Sequence, residues 1–343
     1  MQIFYWPYSL QFKHPFAISS VTRTDTKVVY IEIKENEISG YGEAALPPYL
    51  KETQESVINF FKKININDLK NSDGLQAKIN YIDILEEENY SAKAALDMAL
   101  HDLYGKQLNK PLHKLWNLSK RKLPPALFTI GITNNNKELE EKLETSKDFE
   151  ILKLKVGNTS PLEQIKKLRK LTGKKICLDV NQGWYDKNLA LEWIKAMADE
   201  GVIFVEQPFS KENLSEMAWL SEKSPLPVVA DESFQNVEDL NKIKNCCKGI
   251  NVKLMKCGGL DKARLIIEKA KQKNLMVVMG CMSESSCGVA AAAQLTPLVD
   301  YADLDGPLLI NNDPFQGVVY EMGKILLPFN PGTGAKKIYK QNN

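Results

Sequence analysis

Histidine is nearly missing from this chain. Its three histidines, His14, His101 and His113, all fall in the first third of 343 residues. That scarcity argues against a histidine-based zinc centre or a Ser-His-Asp triad in the rest. An excess of charge is missing too: 45 basic against 43 acidic residues leave a net +2, which speaks against a nucleic-acid partner. No apolar run approaches the roughly 18 residues of a membrane-spanning helix. The opening MQIFYWPYSLQFKHPF lacks the basic start, apolar centre and small-residue cleavage site of a secretory leader. Six cysteines (Cys177, Cys246, Cys247, Cys257, Cys281, Cys287) form no CxxC pair and read as buried free thiols. The expectation is a cytoplasmic protein with neither a membrane nor a nucleic-acid partner. A dinucleotide-binding glycine fingerprint is also absent. Gly258-Gly259 follows an apolar run but lacks the further glycines, so it reads as a tight turn.

What is present is a set of acids at regular intervals. Asp179 in ICLDV, Glu206 in IFVEQP and Asp231 in VVADES each stand near the end of a short apolar run, 27 residues (179 to 206) and 25 residues (206 to 231) apart. A strand–helix repeat takes about that many residues, because a parallel crossover needs a dozen or more. Acids at the ends of successive parallel strands converge, and three converging carboxylates repel unless a cation sits between them. An oxygen-only donor set favours a hard ion, most simply Mg²⁺.

The chain divides near residue 124, where Pro124-Pro125 marks a linker. Residues 1–124 read as an α+β domain. TKVVYIEIKENEISGYGEA gives two strands about a turn at Glu35–Glu37, and residues 91–108 give the clearest helix. In that helix Ser91 is a plausible N-cap, and Ala92, Ala95, Leu96, Ala99, Leu100 and Leu103 form a core-facing stripe. Residues 125–320 alternate apolar runs with helical patterns. Eight runs read as strands, at 126–131, 151–156, 176–180, 203–208, 227–233, 250–254, 275–281 and 301–305. That count predicts an α/β fold of the (β/α)8, TIM-like barrel type, with the N-terminal domain as a cap. The tail at about 320–343 is expected to pack back on the capping domain.

In such barrels the active site lies at the C-terminal ends of the strands, and the unusual charges lie there. Lys153 and Lys155 are i and i+2 on one strand and point to one face. Two ammonium groups aimed together into a barrel are costly without a purpose. Lys253 in INVKL follows on a later strand, and Asp303 and Asp305 repeat the i, i+2 arrangement on the eighth.

KLKVG, LDVNQGW, VEQP, ADES, NVKLMKCGG and DLDGP, in that order, resemble the muconate-lactonizing subgroup of the enolase superfamily. The resemblance covers nearly the whole chain, with GYGEA matching a strand exit of that family's capping domain. It implies one Mg²⁺ on Asp179, Glu206 and Asp231, holding a substrate carboxylate, and proton removal α to that carboxylate to give an enediolate. Lys155 is then the base and Lys153 its electrostatic neighbour near the carboxylate. Lys253 faces Lys155 across the substrate, an arrangement suited to 1,1-proton transfer. The Asp303/Asp305 pair resembles that of the dipeptide epimerases, where it binds the free amino terminus. The implied activity is epimerisation of the C-terminal residue of L-Ala-D/L-Xaa dipeptides, with a role in recycling cell-wall peptides. Thr129, Cys281, Met282 and Ser283 are expected to line the pocket, and Glu284 to orient neighbours. Specificity rests on capping loops near residues 17–24 and 47–51. There Arg23 stands beyond that family's usual place for a glutamate-binding arginine, nearer which Val21 falls, so Arg23 is either a substrate-binding or a solvated residue, and a broader or more apolar second residue stays open beside glutamate. An o-succinylbenzoate synthase or N-acylamino acid racemase on the same scaffold, a Schiff-base aldolase, and a non-catalytic metal- or peptide-binding barrel stay open as alternatives. A homo-oligomer is compatible with such a barrel, although no apolar stripe marks an interface.

Overall fold

A computed structural model describes residues 1–17, 22–118, 122–133, 135–158 and 160–338. The N-terminal part is a three-stranded antiparallel sheet in the order β1 (Gln2–Ala17), β2 (Thr22–Glu35), β3 (Ile38–Leu46), covered by helices α1 (Gln54–Lys62), α2 (Ile66–Asn71), α3 (Gly74–Leu85) and α4 (Tyr90–Gln107). The period of two along β2 divides its side chains. Val29, Ile31 and Ile33 pack with Phe60, Phe61 and the Ala92–Leu103 stripe of α4 in one core, while Val28 and Tyr30 face the core shared with the barrel. Each fully buried large apolar side chain contributes about 1.5–3 kcal/mol. Two sequence expectations change here. Strand β1 was not anticipated; it is an edge strand, which tolerates Pro7 and carries polar residues on its open side. The N-cap of α4 is Asn89, at φ 68°, and Ser91 lies buried inside the helix.

The eight expected barrel strands are all present: β4 (Leu127–Ile130), β5 (Ile151–Lys155), β6 (Lys175–Asp179), β7 (Val202–Glu206), β8 (Val228–Ala230), β9 (Gly249–Lys253), β10 (Met276–Gly280) and β11 (Tyr301–Asp303). They pair in parallel in sequence order, and a bridge between Ala126 and Ala302 brings the last strand back to the first. Gly258 and Gly259 form the expected turn, with φ of 90° and 125°. A Cβ on Gly259 would lie 2.4 Å from the Asp97 carboxyl carbon, so the turn also lets the barrel press against α4. The chain then returns to the capping domain. Phe315 packs on Tyr30 and Tyr41 with ring centroids 5.0 and 5.4 Å away, and Thr333 donates backbone and hydroxyl hydrogen bonds to Asp102 on α4. Among the described residues, no helix is long and apolar enough to cross a membrane.

Candidate active site

Strand register assembles the acids. Lys155 pairs with Asp179 across β5–β6, and Asp179 with Glu206 across β6–β7, so these side chains leave neighbouring strands at one level. Asp231 directly follows β8. One oxygen from each of Asp179, Glu206 and Asp231 lies within 4.8 Å of the others, and all three residues are buried. Glu206 Oε2 is buried without a hydrogen-bond partner. An oxygen-only donor set with an orphaned carboxylate oxygen fits a hard divalent cation.

Four ammonium groups surround these acids. Lys153 Nζ lies 2.9 Å from Asp179 Oδ2, 2.9 Å from Glu206 Oε1 and 2.6 Å from Asp303 Oδ2. Lys155 Nζ contacts Asp179 Oδ2 at 2.5 Å, and Lys253 Nζ contacts Asp231 Oδ2 at 2.8 Å, four strands away around the barrel. The fourth, Lys256, did not figure in the sequence reading. It donates to Asp231 Oδ1 at 2.7 Å, to the Asp231 carbonyl at 2.7 Å and to the Asn251 carbonyl at 2.9 Å. It follows Lys253 by three residues in NVKLMK, one turn along the short helix Leu254–Cys257, and that spacing was the available signal. Asn251 was missed as well: its amide donates to Glu206 Oε1 at 3.1 Å. It stands two residues before Lys253 on the same strand face, the same i, i+2 spacing that pairs Lys153 with Lys155.

Burial and charge compete at each acid. Burial pushes Asp179 upward, but Lys153 and Lys155 overcome it and hold the carboxyl below its usual range. Asp231 is likewise depressed, with burial outweighed by Lys253, Lys256 and Lys153. Glu206 goes the other way, to about 8, because burial adds to repulsion from Asp179, Asp231 and Asp303 against Lys153 alone. A divalent cation in contact with the three carboxylates would reverse that preference. Lys153 and Lys253 are raised: burial disfavours their charge, but Asp179 and Asp303 around Lys153, and Asp231 beside Lys253, more than compensate.

The pocket over these groups is lined by Thr129, Lys153, Lys155, Lys253, Cys281, Met282, Ser283, Asp303 and Asp305, together with Arg23 and Tyr49 from the capping domain. The Thr129 backbone N–H donates to Asp305 Oδ2 at 2.6 Å, tying the first barrel strand to the last. Asp305 opens the short helix Gly306–Leu309 without making a side-chain cap bond, so helix capping does not occupy it. Burial first, then Asp303, raises its carboxyl to about 6. Tyr320 donates to the Leu304 carbonyl at 2.7 Å and steadies the same strand end. Glu284 is buried beside the pocket rather than lining it, and accepts from the Met282 N–H at 2.7 Å.

The structure bears on Arg23, which the sequence left open between a solvated and a glutamate-binding side chain. The residue is half-buried. Its guanidinium lies over the rings of Phe12 and Phe16, 5.6 and 6.0 Å from their centroids, with Nε and Nη1 buried and without hydrogen-bond partners. Val21 and its neighbours 18–20, which belong to the same loop, lie outside the described residues. The second loop is fixed by its exit. Thr53 accepts from Ser56 N at 3.1 Å and Ser56 Oγ accepts from Thr53 N at 2.9 Å, starting α1 and holding Tyr49 so that its hydroxyl donates to Met282 Sδ at 3.1 Å.

A capped (β/α)8 barrel with three acids and opposed lysines at its strand ends defines an enolase-superfamily site. The family models agree on both parts of the chain: residues 4–116 match the mandelate racemase / muconate lactonizing enzyme N-terminal domain, and residues 137–337 match an enolase C-terminal domain-like family. This chain belongs to the mandelate racemase / muconate lactonizing enzyme family of the enolase superfamily. It is 44% identical over 338 residues to the L-Ala-D/L-Glu epimerase of Bacteroides thetaiotaomicron, covering 98% of this chain and 88% of that one. The substrate-liganded L-Ala-D/L-Glu epimerase from Bacillus subtilis superposes with a TM-score of 0.88 at 27% identity over 98% of both chains. A dipeptide epimerase from Cytophaga hutchinsonii, complexed with Mg and D-Ala-L-Val, gives a TM-score of 0.88 at 26% identity, covering 98% of this chain and 96% of that one.

Proposed function

We propose that this protein is a Mg²⁺-dependent epimerase of dipeptides, acting on the α-carbon of the second residue of L-Ala-D/L-Xaa and preferring glutamate there. The observation that carries the reading is a buried carboxylate triad with Lys155 and Lys253 bound to it from strands on opposite sides of the barrel, those lysines lining one pocket with Lys153, Asp303 and Asp305. Asp179, Glu206 and Asp231 would hold the cation. When bound, Mg²⁺ supplies a positive centre for the charge that develops on the substrate carboxylate as the α-proton leaves.

The chain's own groups do the rest. Lys155 Nζ takes the α-proton from one face and Lys253 Nζ delivers a proton to the other; with the roles exchanged, the reaction runs in reverse. Lys153, held by three carboxylates, adds fixed positive charge beside the substrate carboxylate. Asp303 and Asp305 meet the substrate ammonium. Arg23 meets an acidic side chain, since its two buried, unpartnered nitrogens seek an acceptor. A glutamate preference is also consonant with the names of the Bacteroides and Bacillus relatives. The six free thiols suit a reducing compartment such as the cytoplasm.

The test is conversion. Protein with Mg²⁺ and L-Ala-L-Glu should give L-Ala-D-Glu, resolved by chromatography, and should reach the same mixture from the D isomer. Failure to convert any L-Ala-L-Xaa dipeptide would overturn the proposal.

A further inference from the structure

One buried pair of acids has no part in the proton transfer. Glu43 on β3 of the capping domain is fully buried, and Glu284, after the seventh barrel strand, is 1% exposed. Glu43 reaches across the domain seam. It accepts from Ser285 N at 3.0 Å, from Ser285 Oγ at 2.6 Å and from Gly288 N at 3.0 Å, at the start of helix Ser286–Ala293. Glu284 turns back to the Met282 N–H. Both carboxyls crowd Gly288: a Cβ there would lie 2.3 Å from Glu284 Oε2 and 3.2 Å from Glu43 Oε2. Those two distances, 2.3 and 3.2 Å, together put the two Oε2 atoms no more than 5.5 Å apart, and in a buried seam that proximity disfavours ionising both carboxyls. The groups facing the pair supply little compensation. Tyr30 on β2, Cys287 on the helix and Cys281 after β10 are neutral when protonated, Asp313 beside Tyr30 and Cys287 is acidic, and Lys253 bears on Glu284 alone.

We propose that Glu43 and Glu284 share one proton, and that this carboxyl–carboxylate pair is a positioning device locking the pocket loop Cys281–Ser285 to the capping domain. Through Met282, which Glu284 holds by its N–H and whose sulfur accepts from the Tyr49 hydroxyl, the seam sets the surface on which the capping loop rests. Losing the proton leaves two like charges at the seam and loosens loop and cap together. Burial, together with the neighbouring acid in the case of Glu43, raises Glu43 to about 8 and Glu284 to about 7, so the device works across neutral pH.

The pairing itself is tested without substrate; only its effect on turnover rests on the epimerase reading. Infrared spectra of the Mg²⁺-loaded protein at pH 7 should show a protonated-carboxyl band that shifts or weakens in Glu284→Gln, where the neighbouring acid is gone, and that is lost when Glu43→Gln is added. Wild-type melting temperature should fall more steeply from pH 5 to pH 8 than that of Glu284→Gln, because the folded state binds the proton more tightly than the unfolded chain does. In turnover, Glu284→Gln keeps the acceptor for Met282 and should hold KM within about twofold while losing the part of its rise above pH 8 that the pair causes. Glu284→Ala should raise KM by about 5- to 150-fold, as expected of a lost buried acceptor. Identical spectra and identical pH profiles for wild type and Glu284→Gln would overturn the shared proton. Equal KM for the Gln and Ala variants would overturn the positioning role. If no variant, wild type included, turns over any dipeptide, the epimerase reading fails, while the spectra and melting curves still decide the pair.

Discussion

Replacing Arg23 with leucine should change which dipeptide is used rather than whether one is used. The guanidinium lies in the pocket with two nitrogens unpartnered and rests on Phe12 and Phe16, so leucine can occupy the same apolar bed. The acids and lysines at the strand ends make no hydrogen bond to it. A hydrogen bond to a charged group is worth about 1.5–3 kcal/mol, and at 1.36 kcal/mol per decade that is a loss of about 10- to 150-fold in kcat/KM for L-Ala-L-Glu. For L-Ala-L-Leu the value should hold or rise, since a half-buried cation is removed from the path of an apolar side chain. Parallel measurement of kcat/KM for both dipeptides, in wild type and variant, gives the ratio directly. An equal loss for both would mean that Arg23 only supports the capping loop. No loss for either would place the glutamate elsewhere.

The remaining expectations concern the lysines and the Asp pair. Lys155→Ala and Lys253→Ala should each abolish epimerisation, by at least the roughly 10²- to 10⁴-fold that a positioned base contributes. Each should still be able to exchange the α-proton of one enantiomer, and unchanged turnover in either would contradict the two-base mechanism. Asp303→Asn combined with Asp305→Asn should harm dipeptides far more than N-acyl amino acids, whereas equal losses would make the pair structural. Asp305 is raised to about 6, so it is charged above that pH and neutral below it. KM for a dipeptide should therefore climb as pH falls through about 6, and Asp305→Asn should show no such climb.

The barrel was legible because its strands are short, largely apolar and mostly buried, and several end on or next to a charged group that has no place in a core. Asp179, Glu206, Lys155 and Lys253 announce their positions by being charged where apolar residues belong. Asn251 and Lys256 follow the same spacing but were hidden by their neighbour Lys253. The first strand escaped because an edge strand carries polar residues and a proline without penalty. Arg23 stayed open for a different reason: it stands on β2 opposite Phe16 with its guanidinium over Phe12 and Phe16, a strand pairing that counting residues from Pro15-Phe16 does not give. The approach of Glu43 and Glu284 to Gly288 brings together residues far apart in the chain, and no local pattern encodes it.

The central claim is that metal-binding acids and two lysines move one α-proton, and deuterium uptake tests it most directly. With Mg²⁺ in D₂O and L-Ala-L-Glu, mass spectrometry should show one deuterium incorporated per epimerised molecule, with uptake abolished by a chelator and restored by added Mg²⁺. Epimerisation without deuterium, uptake that persists with the chelator present, or no uptake from any dipeptide would contradict it.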